Sequence, residues 1–69
     1  MQLSLTEARE LKGISQQELA SSMHLSLATI QRYERDPYSM RIAQAQWAAE
    51  LLGIEFDGIN FKIKGGNHE

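Results

Sequence analysis

The sequence predicts an all-α fold, a small bundle of four or five helices. Three observations carry that prediction. Apolar residues recur at helical spacing in four stretches, helix-capping serines precede three of them, and Gly13, Gly53 or the Asp36-Pro37 pair stands where a stretch should end. The chain has 69 residues, enough for one domain. That domain is expected over residues 1–63, with 64–69, which begin Lys64-Gly65-Gly66, as a flexible C-terminal tail.

The first helix is expected over 5–12. Ser4-Leu5-Thr6-Glu7 is a capping box, in which the serine hydroxyl and the glutamate side chain each satisfy the other residue's backbone N–H. Leu5, Ala8 and Leu11 follow at helical spacing, and Gly13 is a natural stop. Ser15-Gln16-Gln17-Glu18 is a second capping box, and Leu19, Ala20 and Met23 make a short apolar stripe over 16–23. Ser26 opens a third helix over 27–35, where Ile30, Tyr33 and Glu34 share a face. Asp36-Pro37 ends it, because the residue before proline is pushed out of the α region. A fourth helix spans 40–52, with Ile42, Ala45, Ala48, Ala49 and Leu52 on its inner side and Gly53 as its stop. Residues 54–63 admit two readings. Asp57-Gly58 suits the turn of a hairpin, and the same residues also suit one helical turn with Phe56, Ile59 and Phe61 closing the core.

The second and third helices are short and joined by very few residues, the pattern of a helix-turn-helix. Ala20 is small where the two would cross, Leu25 can plug the core beneath the turn, and Ile30 anchors the third helix. At about 100° per residue, the face opposite Ile30 carries Ala28, Arg32 and Arg35, flanked by Thr29 and Gln31. In a major groove those side chains would face bases, together with Ser26 and Leu27 at the start of the helix. Arg32 is the best base reader, since its planar fork matches guanine O6 and N7. Gln31 is a weaker one, and Leu27 and Ala28 offer apolar contact to a thymine methyl. Gln16, opening the second helix, is placed for a phosphate, and Gln17 beside it in sequence is a further DNA-binding candidate. The structural alternatives are a plain helical corner and solvated surface arginines.

Composition narrows the rest. Net charge is −2, against the usual sign for a nucleic-acid binder, although Arg32, Arg35 and Arg41 cluster around Glu34 and Asp36. There is no cysteine, so neither a disulfide nor a thiolate metal site is expected. His24 and His68 are far apart in sequence, no nucleophile–base pair stands at useful spacing, and neither metal, cofactor, small-molecule ligand nor enzymatic activity is expected. No stretch reads as a signal peptide or approaches the roughly 20 apolar residues of a membrane span, so a cytoplasmic protein is expected. Trp47 points away from the inner side of the fourth helix, between Ala43 and Leu51. It is an isolated surface aromatic, or folds beneath the C-terminal segment, or belongs with Leu51, Phe56 and Phe61 to a protein interface.

The run Lys12-Gly13-Ile14-Ser15-Gln16-Gln17-Glu18-Leu19-Ala20, followed by Leu25-Ser26, Ile30 and Tyr33-Glu34, resembles the phage repressor and Cro-type helix-turn-helix family, also known as lambda-repressor-like or XRE. The resemblance covers residues 4–61. It implies a bundle of five helices with the third as recognition helix, a backbone contact by Gln16, and base-facing positions at Leu27, Ala28 and Arg32. It further implies that Arg9 pairs with Glu34, tying the first helix to the end of the third. The chain departs from the pattern at His24, where the family favours glycine, at Leu27 and Ala28, where many members carry hydrogen-bonding residues, and in its acidic balance. The expected function is a transcriptional regulator that binds a double-stranded DNA operator as a homodimer. The alternative on the same fold is an antirepressor, modulator or antitoxin-like module whose partner is another regulator, such as a repressor protein.

Overall fold

Both capping boxes form. Ser4 Oγ accepts the Glu7 N–H at 3.0 Å while Glu7 Oε1 accepts the Ser4 N–H at 2.9 Å. Ser15 and Glu18 repeat the exchange at 3.0 and 2.8 Å. These caps open α1 (Leu5–Leu11) and α2 (Gln16–Ser22), and Ser26, accepting the Thr29 N–H at 3.2 Å, opens α3 (Leu27–Arg35). A 3-10 turn at Pro37–Ser39 leads to α4 (Ile42–Leu52), and a second 3-10 turn at Phe56–Gly58 follows it. This computed structural model describes residues 2–61. The expected tail at 64–69 and Ile63 lie outside the described residues. Among the described residues there is no strand, and no helix is long and apolar enough to cross a membrane.

The core is built where the apolar stripes meet. Leu5 and Ala8 of α1, Leu19 and Ala20 of α2, Ile30 and Tyr33 of α3, and Ala45, Ala48, Ala49 and Leu52 of α4 are buried, with Met23, Met40, Ile59 and Phe61 between them. Ala20 is buried in the core, and Leu25, whose N–H donates to Ala20 O at 2.8 Å, packs half-buried against it.

Several expectations are corrected. Leu11 is 68% exposed. The buried arc of α1 runs through Leu5, Ala8 and Arg9, and at about 100° per residue Leu11 falls roughly 110° from its centre. Helix α4 starts at Ile42 rather than residue 40, because the turn begun by Pro37 runs to Ser39 and leaves Met40 and Arg41 extended. Met40 therefore closes that end of the core, at 4% exposure, while Ile42 in the first turn of α4 stands 51% exposed. Over the described part of that segment, residues 54–61, no hairpin forms and the helical-turn reading holds. The segment pairs with the chain's beginning instead: Leu3 N–H donates to Gly58 O at 2.9 Å and Asn60 N–H to Leu3 O at 2.7 Å, a parallel bridge at Leu3 and Ile59. Ile59 and Phe61 are buried as expected, and Phe56 is half-buried with its ring stacked 5.3 Å from that of Phe61. A single 3-10 turn thus stands where the resemblance implies a fifth helix.

Candidate nucleic-acid interface

Burying Ile30 and Tyr33 turns the opposite side of α3 to solvent. Ala28, Gln31, Arg32 and Arg35 are exposed there, Leu27 is 37% exposed and Thr29 is half-buried. Ala28, Thr29, Arg32 and Arg35 line one shallow depression, so the two arginines flank a common surface. Ser26 and Thr29 are hydrogen-bonded to each other through their hydroxyls at 2.9 Å, besides the cap that Ser26 makes. Both would meet a ligand as members of a closed local pair, with the donor direction adjustable. At the start of α2, Gln17 is exposed and Gln16 is half-buried.

The acid that most threatens the cluster is turned inward. Glu34 Oε2 accepts from Arg9 Nε at 2.7 Å, with the two side chains 10% and 8% exposed. Its Oε1 accepts from Thr6 Oγ1 at 2.9 Å and from Gln16 Nε2 at 2.9 Å. Arg9 also donates to Ile14 O at 2.8 Å, so one guanidinium ties α1 to α3 and to the loop before α2. Burial pushes the Glu34 carboxyl upward, but the hydrogen bonds from Arg9, Gln16 and Thr6, with the Arg9 charge, outweigh it and hold the pKa below the usual carboxylate range. Glu34 is therefore an ion with its own counter-charge, and it leaves the field of Arg32 and Arg35 little reduced.

The ion pair between Arg9 and Glu34 forms as the resemblance implies. Sequence reasoning missed that Thr6 and Gln16 join it. Those contacts span 28 and 18 residues, and no local pattern signals them. It also missed that His24 and Trp47 meet, with ring centroids 6.2 Å apart and planes inclined at 42°. His24 has φ of 58°, the left-handed turn conformation for which glycine is favoured. Trp47 thus packs toward the turn between α2 and α3 and remains 39% exposed, with Leu51 one helical turn further at 38%. Of the four residues considered for a protein interface, those two lie on the surface. Phe56 is half-buried and Phe61, at 3% exposure, belongs to the core.

A family model described as helix-turn-helix matches residues 5–59, which takes in the four α-helices of the described residues. No curated protein and no solved structure matches the chain.

Proposed function

The chain belongs to the phage repressor and Cro-type (XRE) helix-turn-helix family, a family of DNA-binding transcription regulators, and from that premise we propose a Cro-like regulator that reads an operator with α3 in the major groove. The observation that carries this reading is the outward face of α3, where Arg32 and Arg35 flank one depression while Ile30 and Tyr33 hold the opposite face in the core. Arg32 pairs with a guanine edge, and Gln31 makes a secondary base contact. Leu27 and Ala28 meet thymine methyls, and Thr29 works with Ser26 at the groove's edge. Gln16, Gln17 and Arg35 contact the sugar-phosphate backbone, setting register without reading sequence.

One short recognition helix makes few contacts, so the proposal includes a homodimer on a symmetric site, its half-sites about 34–36 Å apart. Trp47 and Leu51, one helical turn apart on α4 and both partly exposed, supply its apolar contact. An anisotropy titration of duplexes from the intergenic DNA beside the gene tests the reading. Salt-dependent, sequence-selective binding is expected, with Arg32→Ala costing about 1–3 kcal/mol and relaxing selectivity at one base pair.

The second reading, a protein-interaction module acting on another regulator, draws on Leu27, which is 37% exposed beside Ala28 on the same face of a chain with net charge −2. No selective DNA binding at low salt, together with stable association with a repressor protein, would decide for it.

A further inference from the structure

Gln16 sits where α1, α2 and α3 meet, and its carboxamide is already engaged. Nε2 donates to Glu34 Oε1 at 2.9 Å, an oxygen that also accepts from Thr6 Oγ1 at 2.9 Å. An ionised carboxylate only accepts. Gln16 must therefore present nitrogen to it, because turning the amide over would set its own carbonyl oxygen against the carboxylate. The acceptor is itself immobilised, since Arg9 Nε holds the other carboxylate oxygen at 2.7 Å. Nε2 carries two N–H groups, and Glu34 takes one of them.

We propose that Glu34 is a positioning residue for DNA binding: it fixes the amide of Gln16 so that the second N–H of Nε2 is offered to a backbone phosphate oxygen. This rests on the DNA-binding reading above. Glu34 touches no nucleic acid. The ordering of the Gln16 side chain is completed on folding rather than on binding, which favours the complex. Arg9 offsets the negative charge that would otherwise stand behind the phosphate.

The test is a double-mutant cycle on operator affinity with Gln16→Ala, Glu34→Gln and both together. In Glu34→Gln the single amide oxygen at position 34 goes to Arg9. Its NH2 then faces Gln16, whose amide must turn over so that its carbonyl oxygen accepts from position 34 in the place of Nε2, leaving a lone pair where the second N–H stood. Each single change is expected to weaken binding roughly tenfold or more, the worth of one hydrogen bond to a charged group. The double variant is expected to bind no more weakly than Gln16→Ala, with the salt dependence unaltered because no cation is removed. Additive losses, or tighter binding by Glu34→Gln, would overturn the proposal while Arg32→Ala still reports the DNA-binding reading intact. Failure of the wild-type chain to bind DNA removes that reading and this proposal with it.

A second measurement needs no variant to fold. In the wild-type protein, one side-chain amide proton of Gln16 should resonate downfield and exchange slowly, both free and bound to DNA. An amide pair with the shifts and exchange of a solvated glutamine also overturns the proposal.

Discussion

The turn after α1 and the turn after α2 close with the same hydrogen bonds and are secured by different means. In the first, Gly13 N–H reaches Glu10 O at 3.0 Å and Ile14 N–H reaches Arg9 O at 3.1 Å. In the second, His24 N–H reaches Ser21 O at 3.2 Å and Leu25 N–H reaches Ala20 O at 2.8 Å. Both are Schellman endings with a left-handed residue, φ 70° at Gly13 and 58° at His24. Behind the first stands a buried ion pair, for Arg9 binds Ile14 O as well as Glu34. Behind the second stands the exposed imidazole of His24, resting near Trp47. The first turn thus combines an unstrained residue with a polar anchor supplied from elsewhere. The second accepts backbone strain at a residue whose side chain is the anchor.

The largest effect is expected from breaking the anchor of the first turn. Glu34→Ala leaves Arg9 buried without its carboxylate, and losing one partner of a buried pair costs about 3 kcal/mol or more. Urea or thermal unfolding reads that loss directly. Acid should reproduce part of it in the wild-type chain. The folded-state pKa of Glu34 lies below its unfolded value, so its contribution is fully present above the usual carboxylate pKa of about 4.3. It is lost as pH falls through the lower folded value. Stability should therefore decline on acidification below about pH 4 more steeply than in Glu34→Gln. Equal acid slopes in the two proteins would mean that Glu34 gains nothing from its partners.

The same contrast explains what was legible in the chain. The first turn announces itself locally: Gly13 lies directly between a helical stripe and a capping box, and both capping boxes form where their spacing places them. The outward face of α3 was equally legible, because burying Ile30 and Tyr33 at helical spacing leaves Arg32 and Arg35 no other side. Contacts that depend on chain folding back were not. The partnership of Thr6 and Gln16 with Glu34, the bridge from Leu3 to Ile59 and the approach of Trp47 to His24 join residues distant in sequence. Ile42 looked like core by its spacing and was displaced by Met40, since a backbone turn shifted the helix start by two residues. Periodicity reports which residues share a face, and it carries no information about where the neighbouring element ends.

The second turn can be tested for strain separately from contact. His24→Ala and His24→Gly both lose the imidazole, and only the glycine suits the left-handed backbone. The glycine variant should be more stable than the alanine variant by about 1 kcal/mol, measured as a shift in the urea midpoint at unchanged m-value. The reference is Gly13, where an added Cβ would meet nothing within 4 Å, so that φ alone penalises it. If the two His24 variants unfold together, the turn has relaxed to another conformation and the likeness between the turns does not survive loss of the imidazole.

The smallest expected effect is the contact itself. A cycle with His24→Gly, Trp47→Ala and the pair should give a coupling of about 0.5 kcal/mol, the lower range for aromatic pairs. Separation of 6.2 Å and 42° of tilt place the rings at the loose end of such geometry, and Trp47 stays 39% exposed. Protein concentration decides what a larger value means. A monomer's unfolding is independent of concentration, whereas a dimer that buries Trp47 gains stability as concentration rises. Coupling that persists on dilution ties the turn to α4 within one chain. Coupling that vanishes on dilution shows that the tryptophan's principal partner is another subunit and that the His24 strain stands uncompensated in the monomer. In that case Trp47→Ala should weaken operator binding more than His24→Gly does, because the cost falls on assembling two half-sites rather than on the turn that presents α3.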